Sequence, residues 1–277
     1  MIARFFGLIT PMKGLSIEGS YTYDFTDGFT YSQPVFYDQW NFYDNTLSWA
    51  GTGRTSVTNT NQKTIRNKMD AVVRYETNVS LLNIQAMAGA SDESYRYHWF
   101  TAAKSDLTAP ELTELNAATM DAGATDDYTN WAMHSVFGRL GLNWAEKYLL
   151  EANVRIDYSS RFAPGKTRRG IFPSFSAGWR INEEDFMQNI SWINSLKLRE
   201  SYGTLGSNAM GNGMDNDGNY NYLPLYSAQN YPFNNAVQIG WAQTALSNAA
   251  VTWETAHISN VDIDFGILKS RLNACRG

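Results

Sequence analysis

Cysteine is all but missing from these 277 residues. Cys275 stands alone, which excludes a disulfide framework and a cysteine-based zinc module. Apolar runs never exceed about three residues, so no helix can span a bilayer. Charge is scarce at 18%, and the balance is acidic at −5, with an isoelectric point near 5.2. That argues against a nucleic-acid binder. Met1 to Pro11 carries one Arg and a short apolar stretch but no small-residue cleavage site. An export signal is therefore expected outside the chain.

Catalytic constellations are missing as well. His98, His134 and His257 show no H-x-x-x-H spacing, which gives zinc little support. Neither a G-x-S-x-G elbow nor a phosphate loop occurs. Asp262 and Asp264 would share a strand face about 7 Å apart. Glycosidase carboxylates can have that separation, but same-strand neighbours in a wet environment are the simpler reading. Asp215 to Gly218 hints at a calcium loop, yet Gly213 and Pro224 occupy ligand positions of the template, so it fails. No enzyme, metal or cofactor is expected.

What is present is aromatic residues at 14%, too many for disorder, and alternation. From Leu15 to Phe25 the odd positions are Leu, Ile, Gly, Tyr, Tyr and Phe; the even ones are Ser, Glu, Ser, Thr and Asp. Successive strand side chains point to opposite faces, so this is a two-faced strand. The pattern recurs in 149–157, 171–181 and 261–265, and more weakly in 68–76, 81–91, 136–144 and 196–204. The links between strands alternate in length. Those at 77–80, 145–147 and 266–270 are short and that at 182–194 is moderate. Those at 27–62, 91–130, 158–170 and 205–250 are longer. Short turns at one end and long loops at the other characterise an outer-membrane barrel. The polar face carries Glu151, Arg155, Asp157, Arg180, Lys197, Arg199, Asp262 and Asp264, charges that a hydrated lumen accommodates. The apolar face has aromatics near strand ends, including Trp144, Tyr148, Trp179 and Tyr202, suited to interfacial girdles. A soluble β domain with the apolar face in its core is the alternative. Glu200 falls on the apolar face between Leu198 and Tyr202, which fits interface depth or a bulge.

Asn182, followed by Glu183 and Glu184, reads as a helix start. With Phe186, Met187 and Ile190 it predicts a short amphipathic helix near 182–190. Aromatic residues crowd two loops among Asp, Asn and Gln. Tyr37, Trp40 and Tyr43 lie in the first; Tyr220, Tyr222, Tyr226, Tyr231 and Trp241 lie in the second. Flat rings beside hydrogen-bonding groups suit oligosaccharide or peptide capture, and equally suit packing against a partner.

The pieces FGRL (137–140), KYLLEANVRID (147–157), SSRF (159–162), FPSFSAGWRI (172–181), LKLRESYGTLG (196–206) and TWETAHISNVDIDFGIL (252–268) come in the order and spacing of a known family. The chain resembles the barrel of SusC/RagA-type TonB-linked outer-membrane transporters over about half its length. The resemblance implies an antiparallel transmembrane β-barrel of some 22 strands. This chain would supply about nine or ten, open and incomplete, with the helix near 182–190 on the periplasmic side. Residues 1–277 are then expected to be one partial barrel domain, without plug, signal peptide or final strands. The family implies import of glycan or peptide fragments across the outer membrane of a Gram-negative, Bacteroidetes-like bacterium. It implies a SusD/RagB-like lipoprotein lid, TonB–ExbB–ExbD energy coupling through the plug, and contact with outer-membrane lipid. A surface carbohydrate-binding or adhesion module without transport is the alternative function.

A barrel segment on its own leaves unpaired strand edges. The isolated chain is therefore expected to aggregate or fold poorly. A cooperative unfolding transition of the isolated chain in detergent would count against this.

Overall fold

The computed structural model describes residues 1–51, 53–109, 111–187, 190, 192–210, 218–233, 236–267 and 272–276. The candidate calcium segment Asp215–Gly218 lies outside them except for its last residue. The strands run in chain order β1 (Ile2–Met12), β2 (Leu15–Ser32), β3 (Gln39–Trp40), β4 (Leu47–Trp49), β5 (Ser56–Val79), β6 (Leu82–Leu107) and β7 (Ala118–Trp144). There follow β8 (Tyr148–Ser159), β9 (Arg169–Arg180), β10 (Ile193–Ser207), β11 (Leu225–Phe233), β12 (Ala236–Ala245), β13 (Glu254–Ile267) and β14 (Leu272–Arg276). Ten form one sheet in the order β1-β2-β5-β6-β7-β8-β9-β10-β13-β14, while β3/β4 and β11/β12 are separate hairpins. The all-β antiparallel sheet of the expected size is present.

The chain divides into two compact units. One comprises 1–3, 23–66 and 95–130; the other comprises 4–22, 67–94 and 131–277. The second holds the alternating strands. Val136, Ile156 and Ile171 lie side by side, as do Leu140, Ala152 and Phe175, and Leu142, Leu150 and Ala177. On β10, Glu200 sits between Ala177 and Val261, and Tyr202 between Phe175 and Ser259. These rows form one apolar face, and it is the exposed one. Leu150 is 54% exposed, Phe175 56% and Val261 63%, whereas Asp157 on the opposite face is 6% exposed. A water-soluble sheet hides its apolar face. This sheet presents it, as a strand bordering lipid does.

The second unit also has a small dry core. Phe162, Phe172 and Trp253 pack together with Met133, Met210 and Val251. The ring of Phe172 lies over Gly170 and Gly206, where added Cβ atoms would come within 2.4 and 1.9 Å of it. Glycine is required there by close approach. This core ties 158–170 and 205–253 to the ends of β7, β9 and β10.

The first unit holds further lengths of β2, β5, β6 and β7. Val57, Tyr95 and Ala118 are buried in it, and polar side chains link its segments: Thr60 with Thr101 at 2.9 Å, Asn61 Nδ2 with Asp27 at 2.9 Å, and Arg54 with Asp106 at 2.9 Å and with Asp121. Here the expectation of long loops at 27–62 and 91–130 is corrected. β2 continues to Ser32, β5 begins at Ser56, β6 runs to Leu107 and β7 starts at Ala118. These lengths carry polar residues on both faces, so hydropathy does not alternate. The ladder forms from the backbone, which needs no apolar face.

The predicted helix near 182–190 is also corrected. The described residues form two 3₁₀ turns, Ile181–Glu183 and Asp185–Met187. Asn182 does not cap. Its side-chain oxygen accepts from the Leu196 amide at 3.1 Å and its Nδ2 donates to Glu183 at 2.7 Å. A cross-link to β10 has replaced the cap.

Links at one end of the sheet are short: 13–14, 80–81 and 145–147. In the last, Ala145 and Glu146 have φ of 52° and 58°, as a turn matching strand twist requires. Neither is glycine, so each bears the left-handed strain. Glu146→Gly is expected to stabilise the full-length receptor by about 0.5–1 kcal/mol, read as a higher urea midpoint in detergent micelles; a lower midpoint would refute the strain argument.

Candidate functional site

The face opposite the apolar rows carries the predicted charged residues in pairs. Arg139 of β7 reaches Glu151 of β8 at 2.5 Å, and Glu151 accepts from Asn153 at 2.9 Å. Arg155 Nε donates to both oxygens of Asp157 at 2.8 and 2.9 Å. Its Nη2 donates to the buried Ser135 hydroxyl at 2.8 Å, and its guanidinium lies 5.7 Å from the Phe137 ring centre. Arg199 of β10 bridges Asp264 at 2.9 Å and Asp262 at 3.9 Å on β13. Arg180 stands opposite Lys197, whose other neighbour in register is Asp264. Arg74 of β5 reaches Glu18 of β2 at 2.8 Å. A depression of about 380 Å³ opens on this face, bordered by Asn83, Gln85, Arg139, Glu151, Lys197 and Arg199. Apart from Arg155–Asp157, whose carboxylate is buried, these pairs are partly exposed, so each is worth little to stability, about 0–1 kcal/mol. Their arrangement is that of a hydrated polar wall.

The apolar face ends in aromatics at the short-turn side. Trp144 and Tyr148 stack at 5.5 Å between ring centres, and Tyr148 and Trp179 at 6.5 Å. Glu184, from the 3₁₀ turns, gathers their polar tips. It accepts from the Tyr148 hydroxyl at 2.7 Å, Trp179 Nε1 at 3.0 Å and Lys147 Nζ at 3.2 Å. These donors hold the Glu184 carboxyl below its ordinary value, the Tyr148 bond contributing most. The same carboxylate raises Lys147. Sequence reasoning noted the rings and read Glu184 as a first-turn anion; it missed Glu184 as their common acceptor. The signal available was a carboxylate in a turn next to two aromatic strand ends. Two rows in from these rings the Tyr202 hydroxyl meets His257 Nδ1 at 3.0 Å, and at the other end of the face His134 lies against Tyr158 at 6.4 Å between centres and 3.4 Å from Asp92.

The predicted loop aromatics belong to separate units. Tyr37, Trp40 and Tyr43 lie on and around the β3/β4 hairpin of the first, and all are exposed, Tyr43 by 95%. Tyr226, Tyr231 and Trp241 lie on the β11/β12 hairpin of the second and are exposed; Tyr220 and Tyr222, in the turn before it, are half-buried. On one face of that hairpin Trp241 pairs with Ala228, Ile239 with Asn230 and Val237 with Pro232. Residues 218–253 contain no Asp, Glu, Lys, Arg or His. Sequence reasoning missed Arg161, which anchors this segment. It is buried, donates to Asn219 Oδ1 at 2.8 Å and the Asn208 carbonyl at 3.3 Å, and lies 5.2 Å from the Trp131 ring centre. Among the described residues no three His, Cys, Asp or Glu side chains group as a metal site.

TonB-dependent receptor P39 of Formosa agariphila is 34% identical over 197 residues, covering 69% of this chain and 17% of that protein. TonB-dependent receptor SusC of Bacteroides thetaiotaomicron is 26% identical over 266 residues, covering 94% and 24%. The chain belongs to the SusC/RagA-type TonB-dependent receptors. No known family model matches it. Among solved structures, the RagAB peptide transporter superposes with a TM-score of 0.82 at 22% identity, covering 99% of this chain and 29% of that one. The open-open state of the RagAB peptide importer gives 0.84. This likeness shows the fold, that of a TonB-dependent barrel. The chain spans about a quarter or less of the length of these curated relatives. SusC and RagA-type receptors are outer-membrane proteins of Bacteroidetes, and they are not enzymes.

The Glu184 cluster has a defined pH dependence. A folded-state carboxyl pKa below the unfolded value means the contribution is complete above the ordinary 4.5 and is lost as pH falls through the lowered value. For Lys147, raised in the folded state, the contribution is complete below the ordinary 10.5 and lost only as pH rises through the raised value. The tryptophan fluorescence difference between the full-length receptor and its E184Q variant is therefore expected to stay constant from pH 7 to about 5 and to change only below the ordinary carboxylate range. A change centred near neutrality would refute the assignment.

Proposed function

We propose that residues 1–277 form part of the barrel wall of an outer-membrane active transporter that imports neutral oligosaccharide fragments. The observation that carries this is the inverted sheet, with its apolar face exposed and its ion-paired face opposite. Lipid would border the first face. Water and passing substrate would border the second, with Glu151, Arg155, Asp157, Arg180, Arg199, Asp262 and Asp264 lining the lumen.

Capture would fall to Tyr37, Trp40 and Tyr43, and to Tyr220, Tyr222, Tyr226, Tyr231 and Trp241. Support for a neutral glycan is chemical. The second set stands in a segment with no ionisable charge but many Asn, Gln and Ser side chains, and sugars are recognised by ring faces with amide hydrogen bonds at their edges. A peptide, with charged termini, would be better served by loop cations. Import would be powered through TonB–ExbB–ExbD acting on a plug, under a SusD/RagB-like lipoprotein lid.

The test is uptake in cells whose full-length receptor carries Trp241→Ala and Tyr226→Ala together, two rings on one face of the hairpin, using a panel of labelled neutral oligosaccharides and peptides. Loss of two stacking surfaces at about 1–2 kcal/mol each is expected to reduce uptake of one oligosaccharide class by at least about tenfold, with surface abundance unchanged. Uptake of peptides alone would overturn the glycan reading. Stable folding of the receptor in water without detergent would favour the soluble binding module instead.

A further inference from the structure

The apolar face contains one charge out of place. Glu200 lies between Ala177 of β9 and Val261 of β13, is exposed, and has no hydrogen-bond or ion-pair partner among the described residues. The nearby cations are engaged elsewhere. Arg199 and Lys197, its neighbours along β10, belong to the opposite face, where Arg199 holds Asp264. Lys147 is held by Glu184. On its own face the carboxylate is flanked by Leu198, Ala177, Val261 and Tyr202, whose hydroxyl meets His257.

Beside it the surface is hollow. Leu140, Leu150, Ala152, Phe175, Ala177 and Tyr202 border a depression of about 460 Å³ that Glu200 also lines, within the usual range for a ligand site of about 300–1,000 Å³. The hollow exists because Ala152 and Ala177 are small where their neighbours in register, Leu140, Leu150 and Phe175, are large. Its depth is set by the girdle. Leu198, two residues before Glu200, pairs with Trp179, whose ring belongs to the aromatic row. Two residues are about 7 Å of strand, or about 5 Å of height at a tilt near 40°. Glu200 is thus one row inside the belt on the short-turn, periplasmic side, within reach of headgroups.

We propose that this hollow is a binding site for an aminophospholipid of the inner leaflet, with an acyl chain along Leu150 and Phe175 and the primary ammonium on the Glu200 carboxylate. This rests on the membrane placement proposed above. Charge complementarity selects the occupant: an unpaired anion on an apolar surface calls for a cation carrying its own hydrocarbon. The ammonium of phosphatidylethanolamine donates hydrogen bonds, whereas the quaternary nitrogen of phosphatidylcholine cannot.

The full-length receptor, purified in mild detergent and offered equal phosphatidylethanolamine, phosphatidylcholine and phosphatidylglycerol, is expected to retain phosphatidylethanolamine preferentially by native mass spectrometry. E200Q should reduce that preference about tenfold, the equivalent of one charge-assisted hydrogen bond. A177W, which fills the hollow and leaves the carboxylate, should also abolish retention, and it decides the matter if E200Q does not fold. Equal retention of the three lipids, or undiminished phosphatidylethanolamine on either folded variant, overturns the site. A receptor that shows no heat-modifiable mobility and enters no bilayer would instead sink the membrane placement itself.

Discussion

Backbone pairing is the constraint on which everything else depends. In hydrocarbon each unpaired amide or carbonyl costs several kcal/mol, so a chain that crosses by strands must give every strand two neighbours. The ten-stranded order, with consecutive antiparallel registers from β7 to β10 and on to β13 and β14, meets that demand for all but the outermost strands. Once the ladder is set, side-chain direction follows with period two. Apolar and charged residues then fall on opposite faces, as Leu150 and Phe175 do against Glu151 and Arg155.

Legibility in the sequence tracked the strength of that choice. β8, β9 and the centre of β13 alternate because one face of the sheet is apolar and exposed while the other carries ion pairs, with Phe172 departing from the pattern where β9 meets the small dry core. The lengths of β6 and β7 within 95–107 and 118–130 read as loop in the sequence, since a strand with polar residues on both faces has no hydropathy period to detect. Tyr95, Tyr97, Thr101, Thr119 and Tyr128 offered β propensity there, but propensity without alternation is a weak prior. Helix start signals at Asn182 misled for a different reason. Asn side chains serve caps and cross-strand links alike, and tertiary contact with Leu196 decided between them. The charged residues of the polar face were readable as a set. Their pairing was not, because Arg155 binds its own strand's Asp157 while Arg199 reaches across to β13.

The described part of the long segment after β10 is attached to the sheet without a large core. The described residues of the β11/β12 hairpin are exposed except for the half-buried Gly240 and Ala245, and a lone two-stranded ribbon is marginal in water. Its attachment is the Phe162, Phe172 and Trp253 cluster together with buried Arg161. Burial is concentrated at this root, where Phe162, Phe172, Trp253 and Arg161 are buried. Arg161 donates there to the Asn219 side-chain oxygen and the Asn208 carbonyl and lies against the Trp131 ring.

The two aromatic ends of the apolar face give an independent measure of what it borders. Tyr148, beside Trp144 and Trp179, and Tyr158, beside His134, lie ten residues apart on one strand and on the same face. At about 3.3 Å per residue that is about 33 Å of strand, and at a tilt near 40° about 25 Å of height. This matches the apolar band of an outer-membrane barrel, which is set by the bilayer rather than by the protein. A soluble sandwich has no reason to place ring residues with polar tips at both limits of one face and leave the aliphatic centre exposed between them. Glu184 tightens the argument, because a carboxylate that collects the tips of Tyr148, Trp179 and Lys147 fixes the lower limit at a single depth. The position of Glu200, one row above that limit, is then a statement about depth in the membrane as much as about sequence.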